Sequence, residues 1–188
     1  TFKICFDVPR SERVPIPLSA FLKKNSQPEK QESLEVGLGV NTAGKMEKID
    51  LLKTRHLLIG GTTGSGKSVF LQSLIINLVS LYGPKKLKLI VVDPKQLDFT
   101  MFAGLPHLEP FGHVTSKTSA AENILFELVE LMEIRKKKIK GKALNVDSYN
   151  EMVGEDERIP YVVVIVDEYA DLIMSLKEKK RRAELEKN

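Results

Sequence analysis

Along the 188-residue chain the hydrophobic and polar positions change period more than once, and each change marks an element. Phe2 to Val8 alternates apolar with polar residues before Pro9, Pro15 and Pro17 interrupt it, and Lys23 to Glu32 is polar. Residues 1–33 therefore read as a lead-in segment and 34–188 as the core domain. Leu34 to Asn41 and Met46 to Leu51 flank Thr42, Ala43, Gly44 and Lys45, which predicts a β-hairpin with Gly44 in a turn conformation that side chains resist.

From His56 onward, short apolar runs alternate with helix-length periodic stretches, the pattern of an α/β fold in which helices cover a parallel sheet. Leu57 to Gly60 is expected as a short buried strand. Lys67 to Leu81 places Phe70, Leu74, Leu78 and Leu81 at helical spacing, and the helix is expected to end near Gly83 and Pro84. Leu87 to Val92 is the next strand, stopping at Asp93 and Pro94. Ala121, Ile124, Leu125, Leu128, Leu131 and Met132 mark one face of a long helix starting near Ser119. Tyr161 to Val166 is a continuous β-branched run, expected to be a central strand buried on both faces. Ser175 to Asn188 is nearly all charged and reads as a solvated helix.

Composition narrows this picture without redirecting it. An apolar fraction of 42% and a charged fraction of 29% are ordinary for globular chains and argue against disorder or a fibrous repeat. The longest apolar run is about six residues, against the ~20 needed to cross a bilayer, and no signal-peptide pattern stands at Thr1. Cys5 is the only cysteine, which excludes an internal disulfide and a cysteine metal cluster and suits a reducing cytoplasm, the expected location. The net charge of +4 comes from 29 basic and 25 acidic residues, too even a balance to demand a nucleic-acid partner. Two basic runs, Arg135 to Lys142 and Lys177 to Arg182, fit either contact with phosphates or a solvated face, and the first sits where cations suit the C-terminal end of a helix dipole.

The chemistry is concentrated in Gly61 to Ser68, GTTGSGKS. In a P-loop, glycines let consecutive backbone N–H groups curl around phosphate oxygens while the following helix turns its positive dipole end toward the same charge. Gly61, Gly64 and Gly66 supply that freedom, with Thr62, Thr63, Ser65 and the following Val69 completing the nucleotide-binding stretch. Lys67 is expected to reach the β- and γ-phosphates of ATP, and the Ser68 hydroxyl to ligate Mg2+. With Gly at ~7% of residues, this pattern arises by chance in fewer than about one in a hundred chains of this length.

The partner element is Val162 to Glu168, VVVIVDE, an apolar strand ending in two carboxylates. Asp167 is the expected acceptor around magnesium, directly or through water, and Glu168 the group that orients or deprotonates the attacking water. His56, His107 and His113 show no partner pattern and read as surface or packing residues. Asp93, Pro94 and Lys95 end a strand at the sheet edge where open α/β folds place ligands, but a Pro-led turn explains them equally well, so they receive no role.

Four segments taken in order, HLLIGGTTGSGKSVFLQSLI (His56 to Ile75), IVVDPKQLDFTMFAGLPHL (Ile90 to Leu108), SYNEM (Ser148 to Met152) and PYVVVIVDEYADLIM (Pro160 to Met174), resemble the FtsK/SpoIIIE DNA translocases, P-loop ATPases of the HerA/FtsK type. The likeness covers the chain from about Leu34 to Met174. It implies a RecA-like motor, assembled as a homo-hexameric ring around double-stranded DNA and driven by ATP hydrolysis, in chromosome segregation or mobile-element transfer. It also implies a parent protein tethered to the membrane by a segment outside the motor, and a sensor strand carrying a glutamine beyond the acidic pair, so that the chain reads as a motor core incomplete at its C-terminus. The related type VII secretion ATPases, which move polypeptide, share the P-loop and the acidic strand end, and a nucleotide-binding assembly module without turnover is a third reading.

Overall fold

The computed structural model describes residues 15–19, 22, 33–93, 98–108, 114–115, 118–171 and 173–174. The lead-in strand pattern at Phe2 to Val8, Cys5, Lys95, His113 and the charged segment from Ser175 lie outside them.

The chain enters the described fold through the expected hairpin. Strand β1 (Glu35–Val40) pairs antiparallel with β2 (Met46–Asp50). Asn41 Oδ1 accepts from Ala43 N and Lys45 N, each at 3.0 Å, and Gly44 has φ +75°, so a short polar side chain and a glycine close the turn. Asp50 then ends β2 and caps the single-turn helix α1 (Leu51–Thr54), its Oδ1 accepting from Leu34 N and Leu52 N at 3.1 Å.

Helix α2 (Lys67–Leu81) follows the glycine loop and buries Leu71, Leu74, Ile75 and Leu78. These meet Leu34 and Val36 of the hairpin and Leu87, Leu89 and Val91 of the next strand in one hydrophobic cluster. A Leu or Ile removed fully from water contributes roughly 1.5–3 kcal/mol, so this cluster is what fixes α2, and with it the loop at its N-terminus, against the sheet. Tyr82, just past the helix, donates its buried hydroxyl to Glu35 O at 3.0 Å and ties the hairpin to the same unit.

The sheet is parallel throughout, in the order β4 (Val114–Thr115), β3 (Leu87–Val92), β5 (Tyr161–Val166). The pair β3 and β5 runs in register over six residues, from Leu87 opposite Tyr161 to Val92 opposite Val166. Between β4 and β5 the chain returns through α3 (Thr118–Ile139) and α4 (Val146–Met152). Leu128 of α3 joins Val162 and Val166 in packing against Ile90 and Val92 on one face of the sheet. Asn145 and Ser148 form a reciprocal cap on α4. Asn150 of the same helix clamps the peptide of Ile159, donating to its O at 2.9 Å and accepting from its N at 2.8 Å, which aims the chain into β5. Among the described residues no helix is long and apolar enough to cross a membrane.

Two expectations are corrected. Leu57 to Gly60 is not a strand: the segment pairs with no other strand, and Leu58 is 90% exposed. Leu57, Leu58 and Ile59 line a slot of about 840 Å³ together with Val162 to Val166 of β5, and no backbone ladder joins the two segments. For the same reason β5 is not central and doubly buried. It forms the edge of the described sheet, only Ile165 is buried, and Val164 is 37% exposed. Its β-branched composition reports suitability for a covered strand, whereas burial depends on what stands beside it.

Candidate functional site

The loop from Gly61 to Gly66 owes its path to its glycines. A Cβ on Gly61 would stand 2.2 Å from Ser65 Oγ, so a side chain there displaces the Ser65 hydroxyl. Gly64 and Gly66 have φ of +79° and +95°, a backbone that L side chains rarely adopt. Ser65 N donates to Thr62 O at 3.0 Å and closes the turn, and Gly66 O receives the first helical bond of α2 from Phe70 N at 2.8 Å. Gly66 is the N-cap and brings no capping side chain, so side chains leave the first-turn N–H groups of α2 to other acceptors. Uncapped donors, a positive dipole end and a tight loop make a concave anion receptor.

The acidic half arrives from the sheet. Asp167 N donates to Val92 O at 2.9 Å, which extends the β3–β5 ladder by one position and fixes Asp167 at the C-terminal edge. Asp167 is 4% exposed. Glu168 follows with φ +50°, and its carbonyl accepts from Asp171 N at 3.0 Å as the chain turns away from the strand. Asp93 ends β3 one position past Val92, as Asp167 ends β5 one position past Val166, and it too is buried.

Lys67 joins the halves. Its Nζ donates to Glu168 Oε1 at 2.7 Å and lies 2.9 Å from Asp167 Oδ1, across 101 and 100 residues of sequence. The Asp167 contact is an ion pair at an angle that gives Oδ1 no directed hydrogen bond, leaving a buried carboxylate oxygen with coordination capacity. The carboxylates of Glu168 and then Asp167 hold the Lys67 ammonium above its ordinary pKa, against the opposing pull of burial.

Of the residues singled out by sequence, Lys67, Asp167 and Glu168 are brought into direct contact. Gly61, Thr62, Thr63, Gly64, Ser65 and Gly66 form an exposed loop beside them, Ser68 shares the first turn of α2 with Lys67, and the Val69 side chain is exposed. Among the described residues no cluster of three or more His, Cys, Asp or Glu could by itself hold a metal ion. A buried carboxylate oxygen such as Asp167 Oδ1 suits Mg2+, which takes one or two protein oxygens and completes its shell with water and phosphate.

Several supporting contacts escaped the sequence reading. Gln72 of α2 donates to Asp98 O at 2.7 Å, tying the segment after β3 to the loop helix. His107 is buried and its Nε2 donates to Tyr82 O at 2.7 Å, a packing role. Half of the basic run has structural partners: Lys136 pairs with Glu133, Lys138 donates to Glu157 O and lies over the Tyr149 ring, and Arg135 is half-buried at the slot. The Lys138 contact with Glu157, 19 residues away, is invisible in one dimension, whereas the Lys136 pair with Glu133 is local to the helix.

Comparison with known proteins gives a consistent answer. The profile of the FtsK/SpoIIIE family matches residues 17–187. The DNA translocase FtsK of Campylobacter jejuni is 38% identical over 172 residues, which cover 90% of this chain and 18% of that protein. The DNA translocase FtsK of Clostridium tetani is 36% identical over 171 residues, 89% of this chain and 23% of that protein. The chain thus spans about a fifth of the length of the curated relatives it matches. In structure it is similar to the cytoplasmic domain of the Thermomonospora curvata type VII secretion ATPase EccC, with a TM-score of 0.58 at 18% identity, over 87% of this chain and 20% of that one. At that identity the likeness speaks to the fold alone. With a family profile spanning nearly the whole chain and relatives above a third identical along nine-tenths of it, the chain belongs to the FtsK/SpoIIIE family.

Proposed function

We propose that this chain is the ATP-hydrolysing core of a motor that moves double-stranded DNA. The observation that carries the reading is the convergence of Lys67, from the glycine-loop helix, on Asp167 and Glu168 at 2.9 and 2.7 Å. It supports reading the glycine loop as a phosphate receptor beside a buried carboxylate and a base. Lys67 and the first-turn amides of α2 bind the β- and γ-phosphates. Ser68 and Asp167 hold magnesium, which neutralises phosphate charge when bound with the nucleotide. Glu168, one residue further out and 33% exposed at its side chain, orients the attacking water and accepts its proton. Residues 34–188 act as this motor core, with 1–33 as a lead-in segment.

The relatives named DNA translocases support DNA as the cargo; duplex DNA, a homo-hexamer, a membrane-tethered parent protein and a role in chromosome segregation or mobile-element transfer complete the proposed reading. Lys137, Lys140 and Lys142, all exposed, are the members of the basic run open to phosphates. ATP hydrolysis by the full-length protein, measured with and without duplex DNA, tests the assignment. Stimulation of several-fold or more by DNA is expected, weakening as salt rises because phosphate contacts release counterions. A rate indifferent to DNA but raised by a polypeptide would overturn it in favour of protein transport.

A further inference from the structure

Asp93 is the most deeply buried carboxylate among the described residues, at 1% exposure against 4% for Asp167. It directly follows β3, whose side chains alternate between two faces. Leu87, Leu89 and Val91 belong to the cluster with α2, whereas Ile90 and Val92 belong to the cluster with Leu128 of α3. On β5, Tyr161, Val163 and Ile165 likewise turn to α2, and Val162 and Val166 to the opposite face. One position further, Asp167 reaches Lys67 at the start of α2, as that alternation requires. Asp93 holds the equivalent position on β3, since Val92 lies opposite Val166. The two carboxylates thus end neighbouring parallel strands on the α2 face, with backbones about 5 Å apart. The chain beyond Asp93 stays on that face: Gln72 of α2 donates to Asp98 O at 2.7 Å, and Phe99 and Phe102 join the α2 cluster.

We propose that Asp93 is a positioning residue for the magnesium-bound nucleotide, accepting hydrogen bonds from the waters that complete the ion's shell beside Asp167; this rests on the nucleotide site proposed above. Mg2+ takes one or two carboxylates directly and keeps several waters, each with protons that need acceptors. Asp167 Oδ1 is buried and receives no directed hydrogen bond, which suits it to the direct contact. A carboxylate one strand across is set for the outer role, one water away. An ionised carboxylate is also costly to bury, so a strand end that needs only packing is better served by an apolar residue.

N-methylanthraniloyl-ATP is titrated into the full-length protein for wild type, Asp93→Asn and Asp93→Ser, in EDTA and across a series of free Mg2+ concentrations, with a thermal melt of each variant. Losing an acceptor that orients a metal's ligands typically costs 10- to 100-fold in metal affinity. The free Mg2+ that half-saturates analogue binding is therefore expected to rise about 10-fold in both variants. In EDTA there is no water shell to hold, and affinity is expected to stay within about 2-fold of wild type. A role in packing alone weakens binding equally with and without the metal, and that result overturns the proposal. So does a Mg2+ requirement within about 2-fold of wild type, or a failure of both variants to fold, which would assign Asp93 to the core. Wild-type protein that binds no analogue even with Mg2+ overturns the nucleotide site itself, and the proposal with it.

Discussion

Lys67→Ala is expected to lose tight ATP binding, with the dissociation constant in Mg2+ rising by about ten- to a hundred-fold. A hydrogen bond to a charged group contributes roughly 1.5–3 kcal/mol, and Lys67 is the side-chain cation in contact with both carboxylates of the site. The remaining receptor, the glycine loop and the uncapped amides of α2, still offers dipoles but no full charge. Removing Lys67 also leaves Asp167 buried beside Glu168 without its cation, so the variant is expected to be less stable as well. Equilibrium titration with a fluorescent nucleotide, alongside a thermal melt to account for folding, separates the two effects. A folded variant with wild-type affinity would remove Lys67 from phosphate binding.

Glu168→Gln is expected to bind ATP and turn it over at least ~100-fold more slowly, the usual scale for losing a general base. The amide keeps the size of the side chain but cannot accept the proton from water. The change belongs in kcat with no weakening of nucleotide affinity, because the phosphates are held by the loop and Lys67 and not by residue 168. Steady-state hydrolysis at saturating ATP and a separate binding titration together read this split. Full turnover in the variant would take Glu168 out of the chemistry.

Much of this site was legible in one dimension because its logic is local. Gly64 and Gly66 are required by the loop's own backbone, and Lys67 and Ser68 follow from the start of the helix that the glycines allow. Asp167 and Glu168 were legible because a β-branched run that ends abruptly in acid marks a strand's C-terminal edge. That loop and strand end share one site was an inference from pattern, whereas the contacts of Lys67 with both carboxylates are seen only in the structure. The left-handed backbone of Glu168 left no trace in the sequence, since no glycine or asparagine marks it.

The errors share a cause. Leu57 to Gly60 and Tyr161 to Val166 were read from side-chain character, yet a strand exists only where a neighbour takes its backbone hydrogen bonds. No ladder joins the two, so the first is unpaired and the second lies at the edge of the described sheet. Likewise Asn150, Gln72 and His107 act through partners 9, 26 and 25 residues away, which no local period encodes. The hairpin was recovered because its turn signals, Asn41 and Gly44, are contiguous with the strands they join.

The union of loop and acidic strand end into one nucleotide site is tested most directly by a crystal structure of the protein with Mg2+ and a non-hydrolysable ATP analogue. Lys67 Nζ is expected to have left Glu168 for the β- and γ-phosphate oxygens, with Ser68 and Asp167 around the metal. An analogue bound away from the glycine loop, or bound there with Lys67 still on both carboxylates, would contradict that union.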